Sequence, residues 1–142
     1  MRFRIILAGL LAISSVSDAI ADWRIGDNAG GEVGRYLQEF MSMRDSGEAV
    51  MIDGTCLSAC TLVLALIPRD RICVTPRAWL GFHAAWTPDA MGRPTASQWG
   101  TQTLVSLYPD WVREWIARSG GLSGRTIYLG GRELSTMIAQ CR

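Results

Sequence analysis

Covalent chemistry in this chain falls to one serine, one histidine and a glycine pair. Ser58 stands in Cys56-Leu57-Ser58-Ala59-Cys60, between two apolar stretches. That position predicts a sharp strand-to-helix turn, which projects a hydroxyl and surrounds it with backbone N–H groups that lack helical partners. A serine hydroxyl alone is a weak nucleophile and needs an adjacent base. The 142-residue chain has 14 basic residues, all of them arginine, and a single histidine, His83. Without lysine there is no Ser-Lys dyad, Schiff-base lysine or P-loop lysine, and one histidine excludes a multi-histidine metal site. His83 is therefore the candidate base for Ser58. In the expected chemistry Ser58 attacks a carbonyl, His83 moves the proton, and the Gly30 and Ala59 amides receive the oxyanion. Gly30 lies in Asn28-Ala29-Gly30-Gly31, where a glycine pair permits close backbone approach. No metal or cofactor is expected to take part.

These groups meet only if neighbouring strands end at one edge. Trp23-Arg24-Ile25 predicts a short strand. Val33, Tyr36, Leu37, Phe40 and Met41 share a helical face, Glu32, Arg35, Gln38 and Glu39 lie mostly opposite, and Asp45-Ser46-Gly47 stops the helix. Ala49-Val50-Met51-Ile52 predicts a buried strand ending at Asp53-Gly54, which completes a right-handed βαβ unit. The run from Thr61 to Ile67 is apolar on all sides and predicts a helix buried in the centre, ended by Pro68. Arg71 to Thr75 and Trp79 to Phe82 predict strands, the second landing on His83. Parallel topology would carry both strand ends to one edge. A loop is expected from Thr87 to Ala96, then helices through Trp99, Leu104 and Leu107 and through Trp111, Trp115 and Ile116. In the tail, one short helix is expected after Ser123 and another around Glu133 to Ile138. Trp111 and Trp115 read as core or interface; Trp79 and Trp86 flank His83 and read as core, with a substrate cleft wall as the alternative. Asp53 reads as a turn cap.

Composition fits one folded domain: 49% hydrophobic, 19% charged, formal charge +1. That balance gives no electrostatic reason to expect nucleic acid or an anionic membrane surface as partner. Arg2 and Arg4 precede an apolar run from Ile5 to Ile13, followed by Ala19-Ile20-Ala21. This is the pattern of a secretory signal peptide cut after Ala21. The run is shorter than the roughly 20 residues that span a bilayer core. The expectation is a signal peptide over 1–21, a single domain over 22–142, a periplasmic or secreted location, and no membrane attachment after cleavage. In an oxidising compartment four cysteines are expected to pair. Three pairings are open. Cys56–Cys60, which would brace a tight turn, with Cys73–Cys141, which would pin the tail, is the preferred one.

Three motifs in register carry a resemblance. Asn28-Ala29-Gly30-Gly31 is similar to the Asn-Ser-Pro-Gly-Gly oxyanion turn of the Clp protease proteolytic subunit and the wider Clp/crotonase superfamily, with alanine in place of proline. Cys56-Leu57-Ser58-Ala59-Cys60 resembles the Cys-x-Ser-Ala-Cys nucleophile turn of the small exported (periplasmic) Clp-like proteins. The segment from Arg71 through His83 resembles the one that delivers the catalytic histidine. The likeness covers about Trp23 to Trp86 well and Leu104 to Leu134 loosely. It implies an α/β fold with a layered βαβ core and C-terminal helices, N-terminally reduced here because only eight residues separate Ala21 from Gly30. It also implies a Ser-His-Asp peptidase with a peptide or protein substrate, often assembled as a homo-oligomer. The position of the third acid falls near Leu129 or Gly130, where no carboxylate stands. Glu133 is the nearest substitute in sequence and Asp110 the next; a Ser-His pair using a backbone carbonyl is a further option. The alternative function is a catalytically inactive Clp-like peptide-binding or assembly module.

Overall fold

The computed structural model describes Ala21 and residues 23–142, so the expected leader lies outside the described residues except for Ala21. In chain order, β1 (Trp23–Ile25), α1 (Val33–Ser46), β2 (Val50–Ile52) and β3 (Thr55–Leu57) lead into a 3-10 helix over Ser58–Leu62 and the single turn α2 (Val63–Leu66). Then come β4 (Ile72–Val74), β5 (Trp79–Phe82), β6 (Trp86–Pro88), β7 (Pro94–Ala96), α3 (Gln98–Leu107), α4 (Asp110–Arg118), β8 (Ile127–Gly130) and α5 (Gly131–Met137).

The strands form two tiers. The first is β1-β2-β4, parallel throughout; the second is β3-β5-β8, with β3 and β5 parallel and β8 antiparallel. Three times the chain leaves the first tier and steps into the second. After β1 it runs to Asn28, which bridges Cys56; β2 passes into β3, and β4 into β5. The β2–β3 step is tight, since a Cβ on Gly54 would lie 2.7 Å from Asp27 Oδ1 and 2.8 Å from the Gly26 carbonyl carbon. Only glycine fits there.

Asp53, read from the sequence as a turn cap, ties the three steps together. Its carboxylate accepts from Arg24 Nε at 2.6 Å, from Thr75 Oγ1 at 2.6 Å and from Arg77 Nε at 3.0 Å, while Arg77 also donates to the Asp53 carbonyl at 2.8 Å. The Thr75 hydroxyl most of all, then the two guanidinium groups, hold the Asp53 pKa down to about 2.

Helix α1 turns Tyr36, Phe40 and Met43 into the core and ends at Gly47, in the left-handed region at φ 84°. Met43 takes the place expected of Met41, which is 44% exposed. Residues 36, 40 and 43 share a stripe at i, i+4 and i+7, and position 41 lies about 100° further round. The long buried helix expected over 61–67 is instead the 3-10 turn followed by one α-turn, with Ala59 to Leu64 still buried. The expected loop at 87–96 is a hairpin. Its prolines, Pro88 and Pro94, face one another beside the turn, one residue outside the Asp89 N–H to Arg93 carbonyl bond, where no ladder donor is required. After Ser123 a strand replaces the expected helix. Leu129 points inward and Tyr128 outward, a period of two that suits pairing with β5. Both preferred cystines are present, Cys56–Cys60 and Cys73–Cys141. Among the described residues, no helix is long and apolar enough to cross a membrane.

Candidate active site

In the parallel ladder between β3 and β5, Leu57 lies beside Gly81. Ser58 follows Leu57 by one residue and His83 follows Gly81 by two, so both stand at the C-terminal ends of adjacent strands. Both are half-buried. Ser58 has φ 54° and is the one non-glycine residue with positive φ among the described residues. A residue with a Cβ held there carries strain of about 1–3 kcal/mol and persists only where its surroundings over-determine it.

Those surroundings are visible. Gly30, itself at φ 80°, lies so close that an added Cβ would sit 2.5 Å from the Leu57 carbonyl oxygen, 2.7 Å from Ser58 Cβ and 3.0 Å from Ala59 N. The Cys56–Cys60 disulfide, both residues fully buried, closes over Leu57, Ser58 and Ala59. From the core side Thr61 Oγ1 donates to the Ser58 carbonyl at 2.7 Å. Ala59 sits in the first turn of the 3-10 helix, where backbone N–H groups have no helical acceptor.

The glycine turn differs from expectation in one donor. The Gly30 amide donates to Asn28 Oδ1 at 2.9 Å, and the same oxygen accepts from Tyr36 Oη at 2.5 Å. Asn28 thereby locks the turn and occupies Gly30, whereas the Gly31 amide has no hydrogen bond among the described residues. An Asn two residues before a glycine is the signature of such a side-chain-closed turn.

The histidine is held by backbone. His83 Nδ1 lies 2.7 Å from the Ala84 carbonyl oxygen. A carbonyl only accepts, so Nδ1 carries a proton, and in the neutral ring the lone pair is on Nε2. The carbonyl is itself oriented, because the Ala85 N–H in the same peptide plane donates to Thr101 Oγ1 at 3.0 Å and the Ala84 N–H donates to the Ser123 carbonyl at 2.7 Å. Glu133 makes no hydrogen bond to the ring among the described residues; its Oε1 accepts from Trp115 Nε1 at 3.1 Å. Asp110 pairs with Arg113. No hydrogen bond joins Ser58 Oγ to His83 in this state; such contacts often tighten only around bound substrate.

Trp79 and Trp86 are surface residues, 45% and 55% exposed, contrary to the core reading. The Trp79 ring lies over Gly130, where a Cβ would come within 2.3 Å of it. Trp115 is buried against Phe82, and Trp111 lies under the Arg69 guanidinium. Two concavities of about 480 and 360 Å³ lie away from Ser58 and His83, one lined by Arg69, Asp70 and Met137, the other by Val74, Ala78 and Arg132.

No family model matches the chain, and no curated protein matches it. Among solved structures, a ClpP1 mutant from Listeria monocytogenes is similar at a TM-score of 0.43 and 12% identity, over 82% of this chain and 70% of that one.

Proposed function

We propose that the protein is an exported serine hydrolase, a peptidase, in which Ser58 is the nucleophile and His83 the general base. The observation that carries this reading is the β3–β5 register, which leaves a strained serine and an imidazole at adjacent strand ends. Nε2 takes the Ser58 proton as Oγ bonds to the substrate carbonyl carbon, and the imidazolium then returns the proton to the departing amine. Water repeats the sequence to release the acid. The orienting task that falls to a carboxylate in a triad belongs here to the Ala84 carbonyl. The Ala59 amide and, in the glycine turn, the Gly31 amide in place of the engaged Gly30 receive the oxyanion. A peptide or protein substrate, and a homo-oligomeric state, rest on the resemblance of the three motifs. Two disulfides and the N-terminal leader pattern support export.

A fluorophosphonate probe on the pure, disulfide-bonded protein tests the reading. Labelling that disappears in Ser58→Ala is expected; no labelling, or labelling unchanged in that variant, overturns it. The second reading, an inactive peptide-binding or assembly module of the same fold, is favoured by the absence of a Ser58–His83 hydrogen bond among the described residues. Under that reading the native protein resists the probe.

A further inference from the structure

Apart from the aromatic residues, Thr61 and Asp53 are the buried polar side chains among the described residues, and the chemistry above makes no use of Thr61. Its Oγ1 lies 2.7 Å from the Ser58 carbonyl oxygen and 2.6 Å from Tyr108 Oη. A carbonyl oxygen cannot donate, so the single hydroxyl proton of Thr61 goes to Ser58. Tyr108 must therefore be the donor in the second bond. Tyr108 is 4% exposed, stands between α3 and α4, and packs edge-on against Phe82, the residue before His83, at 5.7 Å. Burial pushes its phenol pKa up to about 12, so the donor proton stays in place through neutral pH.

Two of the groups around Ser58 limit where its backbone can go without aiming it. Gly30 fills the volume on one side, and the Cys56–Cys60 bridge limits the span of the turn. The bond to its carbonyl sets the orientation of the peptide plane leaving Ser58. We propose that Thr61, itself held by Tyr108, is the positioning residue that keeps Ser58 in its left-handed conformation and so aims the hydroxyl at the ledge shared with His83. The effect on activity rests on the serine hydrolase reading; the effect on the Ser58 backbone does not.

Thr61→Val, Thr61→Ser and Tyr108→Phe, each in the full disulfide-bonded protein, test this with two readouts. One is the fluorophosphonate labelling rate; the other is the NMR chemical shifts of the Ser58 and Ala59 backbone, which report a left-handed residue. Thr61→Val is expected to slow labelling by about tenfold or more and to move the Ser58 shifts, because the strained turn loses its hydrogen bond. Thr61→Ser, which keeps the hydroxyl, restores both. Tyr108→Phe leaves Thr61 its bond to Ser58 but removes its anchor, and slows labelling by about threefold. Native-like labelling and shifts in Thr61→Val overturn the proposal, and so does a Thr61→Ser protein as impaired as the valine variant, which would assign the effect to packing. If Thr61→Val does not fold, Tyr108→Phe decides, and native-like values in both readouts overturn the proposal. If the native protein is not labelled, the hydrolase reading falls while the Ser58 shifts in the same variants still decide the positioning role.

Discussion

At Ser58, His83 and Ala84 every proton has one place to be. The Ala84 carbonyl fixes the proton on Nδ1, so Nε2 is the only ring atom able to receive another. His83→Ala should abolish fluorophosphonate labelling, because no other side chain placed at this ledge can accept the Ser58 proton. Labelling unchanged in that variant removes His83 from the mechanism. Ser58 and His83 were legible in the sequence because the chain has a single histidine and one serine between paired cysteines at a strand end. The Ala84 carbonyl was not, since every residue has a carbonyl and none advertises where it points. Thr61 was read only as the first residue of an apolar run, and its partner Tyr108 lies 47 residues away. Glu133 was the nearest carboxylate by position alone, and an indole N–H claims it.

Among the elements, the steps between tiers matter more than the strands, which are only three or four residues long. Strands this short have little stability of their own, so the Asp53 knot, which draws Arg24, Thr75 and Arg77 to one carboxylate, holds three crossings in register. Its pKa is lowered from the ordinary 3.8 to about 2. The folded state therefore favours the ionised form, and the contribution is complete above the ordinary value and lost as pH falls through the folded one. Urea midpoints of the native protein should drop between about pH 4 and pH 2, and Asp53→Asn should be less stable at neutral pH with a flatter profile over that window. Parallel profiles in the two proteins would place the acid sensitivity elsewhere. The sequence showed β1, β2, β4 and β5 through their apolar runs, and α1 through its 3.6-residue period. β3 was hidden because Gly54 separates it from β2 by a change of tier rather than by a loop. β6, β7 and β8 were hidden because their pairing, not their composition, makes them strands.

For the molecule as a whole, one covalent tie encloses the second half of the chain. Cys73–Cys141 spans 68 residues and fastens the end of the chain beside β4, where Gln140 also bridges Val74. Closing a loop of that length removes unfolded-state entropy worth about 4 kcal/mol. The Cys73→Ala/Cys141→Ala double variant should melt lower by about 10 °C or more. A smaller drop would mean that the buried Leu134 and Ile138 hold the tail by packing alone. By itself the sequence determined the inventory: a single histidine, no lysine, four cysteines in an export-like context, the amphipathic helix and the apolar strands. Such features are set by residue type and local period, which need no distant partner. Only the tertiary structure decided which strands adjoin, that a backbone carbonyl rather than a carboxylate stands beside the imidazole, and that Ser58 is held at positive φ. Those outcomes depend on contacts between segments far apart in the chain, whose relative energies no local pattern records.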